Sequence, residues 1–513
     1  MNHWIVVPFL LPALTACGLL LLRERLAMQR AVSVVSMLAL LVVAAVLVHQ
    51  AAGGDIGVYA FGDWPARIGI VFVLDRLSAL MVCLTAVVAC ASLLHAVQGW
   101  DSRGAHFHAL FHLQLMGLNG AFLTGDLFNL FVCFELMLIA SYALLQHGGG
   151  AQRLQVGIHY VVLNLLGSAL FLVAVSMLYR VGGTLNMADL AVALANAPPE
   201  QVPWIRSGGL LLVIVFLLKA AAAPLYLWLP GTYAAASAPV AGLFSVLTKV
   251  GVYAVARVAW VVFGASAVME ALAAIVLPAA LVSLICAALG AFAAVTLTQL
   301  ASWLALASSA MALAAVGLFS IAGLGGGLYY LLASTLAIPA LFLLADALGG
   351  ARGSFGDRLC RAPRMHGATA IGVLYFVVAV AVAGLPPLAG FLGKVSILQG
   401  AGAMPWVWAI VLCTSLLNLV ALVRAGTRLF WSAAPDPCNG LPSAASAARL
   451  MPAALLVAAI MGLTIFAGPV DRYARRAAQD VGTPGDYVER VLETTALRWT
   501  IRVEPDTAEG ASQ

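Results

Sequence analysis

The sequence predicts an all-α polytopic membrane protein, and three observations carry that prediction. Of the 513 residues, 63% are hydrophobic and only 9% are charged, whereas soluble chains average about 45 to 50% apolar and about 25% charged residues. The apolar residues recur in stretches long enough to cross a bilayer, which takes roughly 20 residues per helix. Polar residues, proline and glycine separate these stretches. A soluble globular enzyme is therefore excluded.

About fourteen transmembrane helices are predicted from the apolar stretches. These spans lie near 3–22, 31–49, 72–98, 107–124, 127–147, 156–180, 208–229, 239–261, 269–292, 300–321, 326–348, 369–398, 404–430 and 450–468. The first is expected to be a retained anchor with its N-terminus outside, not a cleaved signal peptide. The reason is that Arg23, Arg25 and Arg30 follow it instead of preceding it.

Arginines concentrate in alternate loops, which predicts the orientation. Under the positive-inside rule, the cytoplasmic loops are those at 23–30, 99–106, 149–155, 349–368 (which includes Arg364) and 428–449. An even number of spans then leaves the arginine-containing tail 469–513 outside, a conflict that a miscounted span would resolve. The tail mixes arginines with acids and is expected to form a short solvated or interfacial helix and a disordered end.

The overall charge and the cysteines exclude other classes of function. The formal net charge is +5, but the arginines are scattered over short loops, so no nucleic-acid partner is expected. The eight cysteines lack CxxC spacing, so neither a disulfide framework nor a zinc site is indicated. The lipid bilayer is the partner that the composition does predict.

The strongest functional signal is the position of the lysines. The chain has only three, Lys219, Lys249 and Lys394, and all three fall inside predicted spans, whereas the loops use arginine. Lysine, unlike arginine, can lose its proton when it is desolvated. A buried charge costs roughly 2.5 to 3.5 kcal/mol on insertion-derived scales, so an ionisable group at mid-span indicates function. Snorkelling from a helix end is the alternative, and Lys219 and Lys249 lie too deep for it.

One acid, Glu135, lies deep in a span. Among apolar neighbours it stays ionised only if a cation such as Lys219 approaches it. A glutamate and a lysine whose protonation states depend on each other form the unit of a proton relay. A static ion pair that fixes helix packing is the alternative.

Two polar stripes run along predicted helices at a spacing of four residues. One contains Ser245, Lys249, Tyr253 and Arg257, and the other contains Tyr160, Asn164 and Ser168 with His159 beside it. Such stripes either hold water chains or bond helices to each other. Asp346, near the end of the eleventh span, is a further candidate for a proton-transfer role.

Prolines near two of the lysines predict broken helices 7 and 12. Pro224 follows Lys219 in the seventh span, and Pro386 and Pro387 precede Lys394 in the twelfth. The two spans are five apart, and an odd offset turns the second copy upside down, as in the inverted repeats of ion transporters. We therefore expect two inverted five-helix repeats. The regions are 1–106 (helices 1–3), 107–261 (helices 4–8), 262–430 (helices 9–13) and 431–513 (helix 14 and the tail).

Several of these motifs carry a family resemblance. The stretch from Leu218 to Arg257 resembles the central motif of antiporter-like subunits in respiratory complex I and in Mrp-type cation/proton antiporters, and Gly384 to Lys394 resembles the second motif of that superfamily. Three segments and the tail around Tyr487 look more like the D-type subunits of Mrp antiporters than like complex I. These segments are Phe128 to Leu145, Tyr160 to Leu170 and Tyr329 to Asp346.

The resemblance implies a proton path. Glu135 and Lys219 would form the pair of the first half, Lys249 would relay across the centre, and Lys394 would serve the second half. Many superfamily members have a lysine where Ile338 stands here. Lys394 is therefore expected to exchange protons through water, through Asp346 or through a neighbouring subunit.

The resemblance also implies a setting and a reaction. The chain would work in a bacterial cytoplasmic membrane, within a hetero-oligomer of Mrp subunits that exchanges Na⁺ or K⁺ for protons, without a dissociable cofactor. Three alternatives stay open. They are a redox-driven proton pump related to complex I, a non-conducting scaffold of the antiporter, and an antiporter that acts as a monomer.

Overall fold

The computed structural model describes residues 2–264, 266, 268–362, 367–431 and 447–503. Arg364 of a predicted cytoplasmic loop and the predicted disordered end from residue 504 lie outside the described residues. Within the described part there are one β-hairpin and nineteen α-helices. The helices are α1 Val7–Leu21, α2 Leu26–Ala52, α3 Arg76–Ala96, α4 Phe107–Leu123, α5 Leu127–Gln146, α6 Ala151–Gly182, α7 Met187–Ala195, α8 Val202–Lys219, α9 Trp228–Ala235, α10 Ala238–Val261, α11 Val268–Ala293, α12 Leu297–Gly317, α13 Ile321–Arg352, α14 Ala368–Ala383, α15 Ala389–Gly400, α16 Pro405–Gly426, α17 Ala447–Ile465, α18 Ala467–Gly482 and α19 Gly485–Val503.

The long helices make this a multi-pass membrane protein. Eleven helices of the described residues have the length and apolar composition to cross a bilayer, and Val7–Leu21 and Ala368–Ala383 are shorter apolar helices. Helices suit this environment because every backbone N–H and C=O is bonded within the segment. The apolar stretches of α10, α12 and α13 are almost wholly buried inside the protein, whereas those of α2, α6 and α16 are largely exposed at its surface. The centre of the molecule is thus built from α10, α12 and α13.

A β-hairpin interrupts the helices, which the all-α prediction did not include. Strands β1 (Gly57–Ala60) and β2 (Val71–Leu74) pair antiparallel, with Gly57 opposite Leu74 and Ala60 opposite Val71. The apolar pattern predicts a single span over residues 72–98. The apolar run Val71–Leu74 is continuous with the helix, and a short apolar run does not distinguish a strand from a helix by periodicity.

Both predicted helix breaks are present in the structure. Helix α8 ends at Lys219 and α9 begins at Trp228, with Pro224 in the connection. Helix α14 ends at Ala383 and α15 begins at Ala389, with Pro386 and Pro387 between them. Proline cannot donate a backbone hydrogen bond, which explains the interruptions.

Helix α10 packs directly onto the first break. A side chain at Gly251 would place its Cβ in collision with the backbone nitrogen of Ala220. Only glycine therefore permits this approach, which brings the helix that contains Lys249 against the end of the helix that contains Lys219.

The tail contains two helices, where the sequence predicted one short helix. Helix α18 packs against α3 and α13, and α19 packs against α7 and β1. Arg76 at the start of α3 forms an ion pair with Asp480 of α18, with 2.7 Å between the guanidinium nitrogen and the carboxylate oxygen. The apolar side chains that fix α18 to the body are few and interspersed with charges, so composition alone indicated a solvated segment.

Candidate functional site

Lys219 lies at the C-terminal end of α8, where the helix breaks. Its side chain is buried at 4% exposure. The ammonium nitrogen is 3.3 Å from Oδ1 and 3.4 Å from the carbonyl oxygen of Asn164 on α6. It also lies 5.8 Å from the centre of the Phe134 ring, within the range of a cation–π contact. The lysine is thus coordinated by neutral oxygens and an aromatic face.

Glu135 on α5 reaches Lys219 only through α6. The hydroxyl of Ser168 is hydrogen-bonded to Glu135 Oε1 and lies 3.0 Å from the carbonyl oxygen of Asn164, so its single proton can go to either oxygen. The carbonyl oxygen of Asn164 in turn accepts a hydrogen bond from the ammonium group of Lys219. The structure therefore separates Glu135 and Lys219 by one polar turn of α6, and the two do not form a direct ion pair.

The side of Glu135 that faces away from Lys219 lies at the lateral surface. Glu135 is half-buried, and its neighbours Phe128, Val132 and Ile139 on α5 are exposed. A carboxylate at mid-helix on an apolar face is costly in contact with lipid.

Lys249 lies in the middle of α10 and is 1% exposed. Its ammonium nitrogen is 3.4 Å from the hydroxyl of the adjacent Thr248. Among the described residues no carboxylate oxygen lies within 4 Å of Lys219, Lys249 or Lys394. All three lysines are thus buried without a direct counter-ion in the described part of the chain.

The stripe on α10 serves more than one purpose. Ser245 donates to the carbonyl of Gly242 in its own helix at 2.7 Å. Tyr253 donates to the carbonyl of Phe122 at 2.7 Å and accepts from Nε of Arg257 at 3.2 Å. The far end of the stripe therefore bonds α10 to α4, which was one of the two interpretations of the pattern.

Lys394 follows the second break, on α15. It donates to the carbonyl of Ala383 at 2.7 Å and to the hydroxyl of Ser415 at 3.0 Å. The lysine lines a cavity with other polar groups, namely Ser308, Ser334, Thr414, Ser415 and Asn418. Ile338, which stands where many superfamily members have lysine, also lines this cavity.

Two of the predicted supporting residues lie apart from the lysines. His159 is exposed on α6, and its Nδ1 lies 3.2 Å from the carbonyl oxygen of Gln155 in the same helix. Asp346 on α13 pairs with Nε2 of His95 at 2.9 Å. The structure thus gives Asp346 a histidine partner and no contact with Lys394.

Sequence reasoning missed two buried charge clusters. Arg257 of the α10 stripe pairs with Asp75, a contact that the sequence pattern does not predict. The second cluster joins Asp101 to Arg30 and His108. A signal for the first was available, because an arginine that is buried within an apolar span requires a carboxylate partner. No group of three or more metal-ligating side chains occurs among the described residues.

Comparisons with known proteins show the family to which the chain belongs. Residues 124–418 match the family model described as NADH:quinone oxidoreductase/Mrp antiporter, TM. The chain is 39% identical to the D-type subunit of a probable K(+)/H(+) antiporter of Rhizobium meliloti, over 96% of this chain and 98% of that protein. It is 34% identical to the D-type subunit of a Na(+)/H(+) antiporter of Bacillus subtilis, over 96% of this chain and 100% of that protein.

A solved structure shares the fold over the same extent. A chain of the Mrp complex from Dietzia sp. superposes with a TM-score of 0.84 at 25% identity, covering 96% of this chain and 100% of the other. The resemblance to the D-type subunits of Mrp antiporters, inferred from the motifs, is thereby confirmed. The chain belongs to the NADH:quinone oxidoreductase/Mrp antiporter family of membrane subunits.

Proposed function

We propose that this chain is the proton-translocating subunit of a multisubunit antiporter that exchanges Na⁺ or K⁺ for protons, driven by the proton motive force. Glu135 and Lys219 form the relay pair of the first half, Lys249 links the halves, and Lys394 serves the second half. Protons move when a charge on one relay residue alters the proton affinity of the next.

The observation that carries this proposal is the burial of every lysine of the chain without a direct counter-ion among the described residues. A static structural lysine is stabilised by a carboxylate at hydrogen-bond distance. Neutral oxygens from Asn164, Thr248 and Ser415 solvate the ammonium group but do not hold it charged. Such a lysine can release its proton at modest cost, as a relay requires.

The indirect connection between Glu135 and Lys219 also favours a relay over a static pair. Ser168 and Asn164 lie between the two groups, and a hydroxyl both donates and accepts a proton. The carboxylate and the ammonium group therefore influence each other's charge without being locked together.

The helix order supports a body of fourteen spans with two inverted repeats. In this proposal α8 with α9 counts as span 7 and α14 with α15 as span 12, and each pair is broken next to its lysine. Spans 4–8 within 107–261 form one repeat and spans 9–13 within 262–430 form the other. Residues 1–106 and 431–513 flank them.

The half-exposed position of Glu135 supports a hetero-oligomer. Its apolar α5 surface would bury the carboxylate if a partner subunit packed there, which removes the cost of lipid contact. The similar proteins are themselves named as subunits. We place the complex in a bacterial cytoplasmic membrane because those relatives are bacterial.

The test is ion exchange by the whole complex. The chain would be co-expressed with the products of its neighbouring genes, and Na⁺- or K⁺-dependent dissipation of a pH gradient would be measured in everted vesicles. Lys219→Ala and Glu135→Ala should abolish exchange in complexes that still assemble, and Arg103→Ala in a loop should have little effect. Wild-type exchange by the Lys219→Ala complex would overturn the relay assignment.

The same experiment separates the alternatives. Absence of exchange by the wild type, together with co-purification of redox subunits, would indicate a pump driven by electron transfer. Loss of assembly in every lysine variant would indicate a structural subunit. Exchange by the chain expressed alone would indicate a monomeric antiporter.

A further inference from the structure

Two fully buried polar side chains near the start of α2 and α4 have no hydrogen-bond partner among the described residues. His112 on α4 is 0% exposed, and neither ring nitrogen is bonded. Ser33 on α2 is also 0% exposed, and its hydroxyl is unbonded. Buried polar groups in proteins are nearly always bonded to protein or to water. A histidine that only fills space would normally have at least one nitrogen fixed by a neighbour.

Ser33 and His112 each come shortly after a member of a charged cluster that joins α2 to α4. Asp101, whose side chain is fully buried, accepts two hydrogen bonds from Arg30 of α2 at 2.6 and 2.7 Å. The same carboxylate lies 3.1 Å from Nε2 of His108 at the start of α4. Burial raises the pKa of Asp101, but the hydrogen bonds from His108 and Arg30 outweigh that effect and lower it to about 2. The carboxylate is therefore ionised at neutral pH.

Helix geometry places the two unpartnered groups one turn beyond this cluster. His112 follows His108 by four residues, and Ser33 follows Arg30 by three, so each lies on the face that meets Asp101. At 1.5 Å per residue they are about 4.5 to 6 Å deeper than the cluster. Helices α2 and α4 run in the same direction because α3 returns between them. Ser33 and His112 thus lie at similar depth.

We infer that water occupies the space beside Ser33 and His112, and that His112 relays protons between the Asp101–His108 pair and the interior. This proton-access site is separate from the Glu135–Lys219 pair, and the inference rests on the proposed proton transport. Imidazole suits this role because one ring nitrogen accepts a proton from water while the other releases its proton to the next water. Water is retained in such a site because several polar groups can bond to it.

Two substitutions at the same position distinguish a relay from a structural role. His112→Gln keeps the size and the hydrogen-bonding capacity but cannot titrate, and we expect exchange by the assembled complex to fall by about tenfold or more. His112→Glu restores a titratable group, and we expect it to recover part of the exchange. His49→Gln, at an exposed histidine near the end of α2, is the matched control and should exchange like the wild type. Wild-type exchange by His112→Gln would overturn the inference.

Hydration of the site is tested without transport. In a complex whose cysteines are replaced, Ser33→Cys should react with a small methanethiosulfonate reagent. The cysteine thiolate, which forms only where water reaches the sulfur, attacks the reagent to give a mixed disulfide and releases methanesulfinate. Ala44→Cys, three turns further along α2 at 0% exposure and among apolar neighbours, should not react. An unreactive Ser33→Cys would overturn the inference even if the His112 variants failed to assemble.

The outcomes also separate this inference from the proposed function. Exchange by the wild type, lost in Lys219→Ala but unchanged in His112→Gln, leaves the proposed function intact and removes the access site. If the wild-type complex exchanges no ions, the proposed function fails and the relay role of His112 fails with it. Labelling of Ser33→Cys still shows in that case whether the site is hydrated.

Discussion

Arg257 and Asp75 form a buried bidentate ion pair between α10 and the start of α3. The guanidinium donates to the two carboxylate oxygens at 2.5 and 2.8 Å, and each side chain is 3% exposed. Asp75 also caps α3 by accepting from the backbone N–H of Ser78 at 2.8 Å. The rings of Tyr253 and Tyr487 lie 5.3 Å from the guanidinium carbon. The pair thus joins the helix that contains Lys249 to α3 and to the tail.

Breaking this pair should destabilise the protein. Asp75→Asn keeps a good capping residue but leaves the Arg257 charge buried without a counter-ion, which costs roughly 3 to 5 kcal/mol. We expect a lower yield of assembled complex and a lower midpoint in a thermal unfolding experiment in detergent. Asp471→Asn is the matched control, because Asp471 pairs with Arg475 at a more exposed position, where an ion pair contributes at most about 1 kcal/mol. Equal effects of the two substitutions would contradict the prediction.

Ser168 should matter for transport more than for stability. Ser168→Ala removes the hydroxyl between Glu135 and Asn164, and we expect the exchange rate to fall by about tenfold because proton transfer loses its bridging group. Ser176→Ala, two turns further along the same helix, removes an exposed hydroxyl that bonds only to Val173 of its own helix. That variant should exchange normally. The exchange rates of the two variants are compared in vesicles that contain equal amounts of the complex. An unchanged rate for Ser168→Ala would exclude Ser168 from the proton path.

The sequence predicts the position of a functional residue along the chain when burying that residue is costly enough to single it out without knowledge of its neighbours. A lysine in an apolar span is visible from composition, and a proline beside it predicts a helix break. The structure contains both predicted breaks, one after Lys219 and one before Lys394. The distinction between lysine in the spans and arginine in the loops needs no tertiary information.

Contacts between distant helices were not predictable in this way. Asp75 and Arg257 are 182 residues apart, and nothing in the local pattern of either shows that they meet. Periodicity defines one face of a helix but not the neighbour that covers it, so His159, beside the Asn164 stripe, is exposed while Ser168 reaches Glu135. The partner of Asp346 was missed for the same reason.

Gly384 controls the position of the Lys394 ammonium group. Its φ is +72°, and a Cβ there would lie 2.7 Å from Cδ of Lys394. In Gly384→Ala the flexible lysine must move, which breaks its hydrogen bond to the carbonyl of Ala383. We expect exchange to be lost, together with a backbone cost of about 1 to 2 kcal/mol for a positive φ.

Gly402→Ala separates the two effects of that substitution. Gly402 has a φ of +53° and open space where a Cβ would lie, so its replacement brings the backbone cost without displacing a lysine. We expect similar losses of thermal stability in the two variants but normal exchange in Gly402→Ala. Loss of exchange in both would attribute the Gly384 effect to the backbone.

Asp126 should make stability depend on pH. This residue precedes α5 and accepts from the backbone N–H of Asn129 at 2.7 Å. Burial outweighs the hydrogen bonds from Asn129 and Phe128 and raises the pKa of Asp126 from 3.8 to about 6. Between those two values the folded protein binds a proton that the unfolded chain has lost, so the wild type loses stability as pH rises through this window and no further above it.

Asp126→Asn removes this dependence and keeps the helix cap, because asparagine caps helices as well as aspartate does. The variant should therefore gain thermal stability relative to the wild type as pH rises from about 4.5 to about 6, with a constant advantage at higher pH. Unfolding midpoints of the two detergent-purified complexes at three pH values measure the difference. If the difference between the two unfolding midpoints does not change with pH, Asp126 is ionised at all three pH values. Water or a cation must then reach the start of α5.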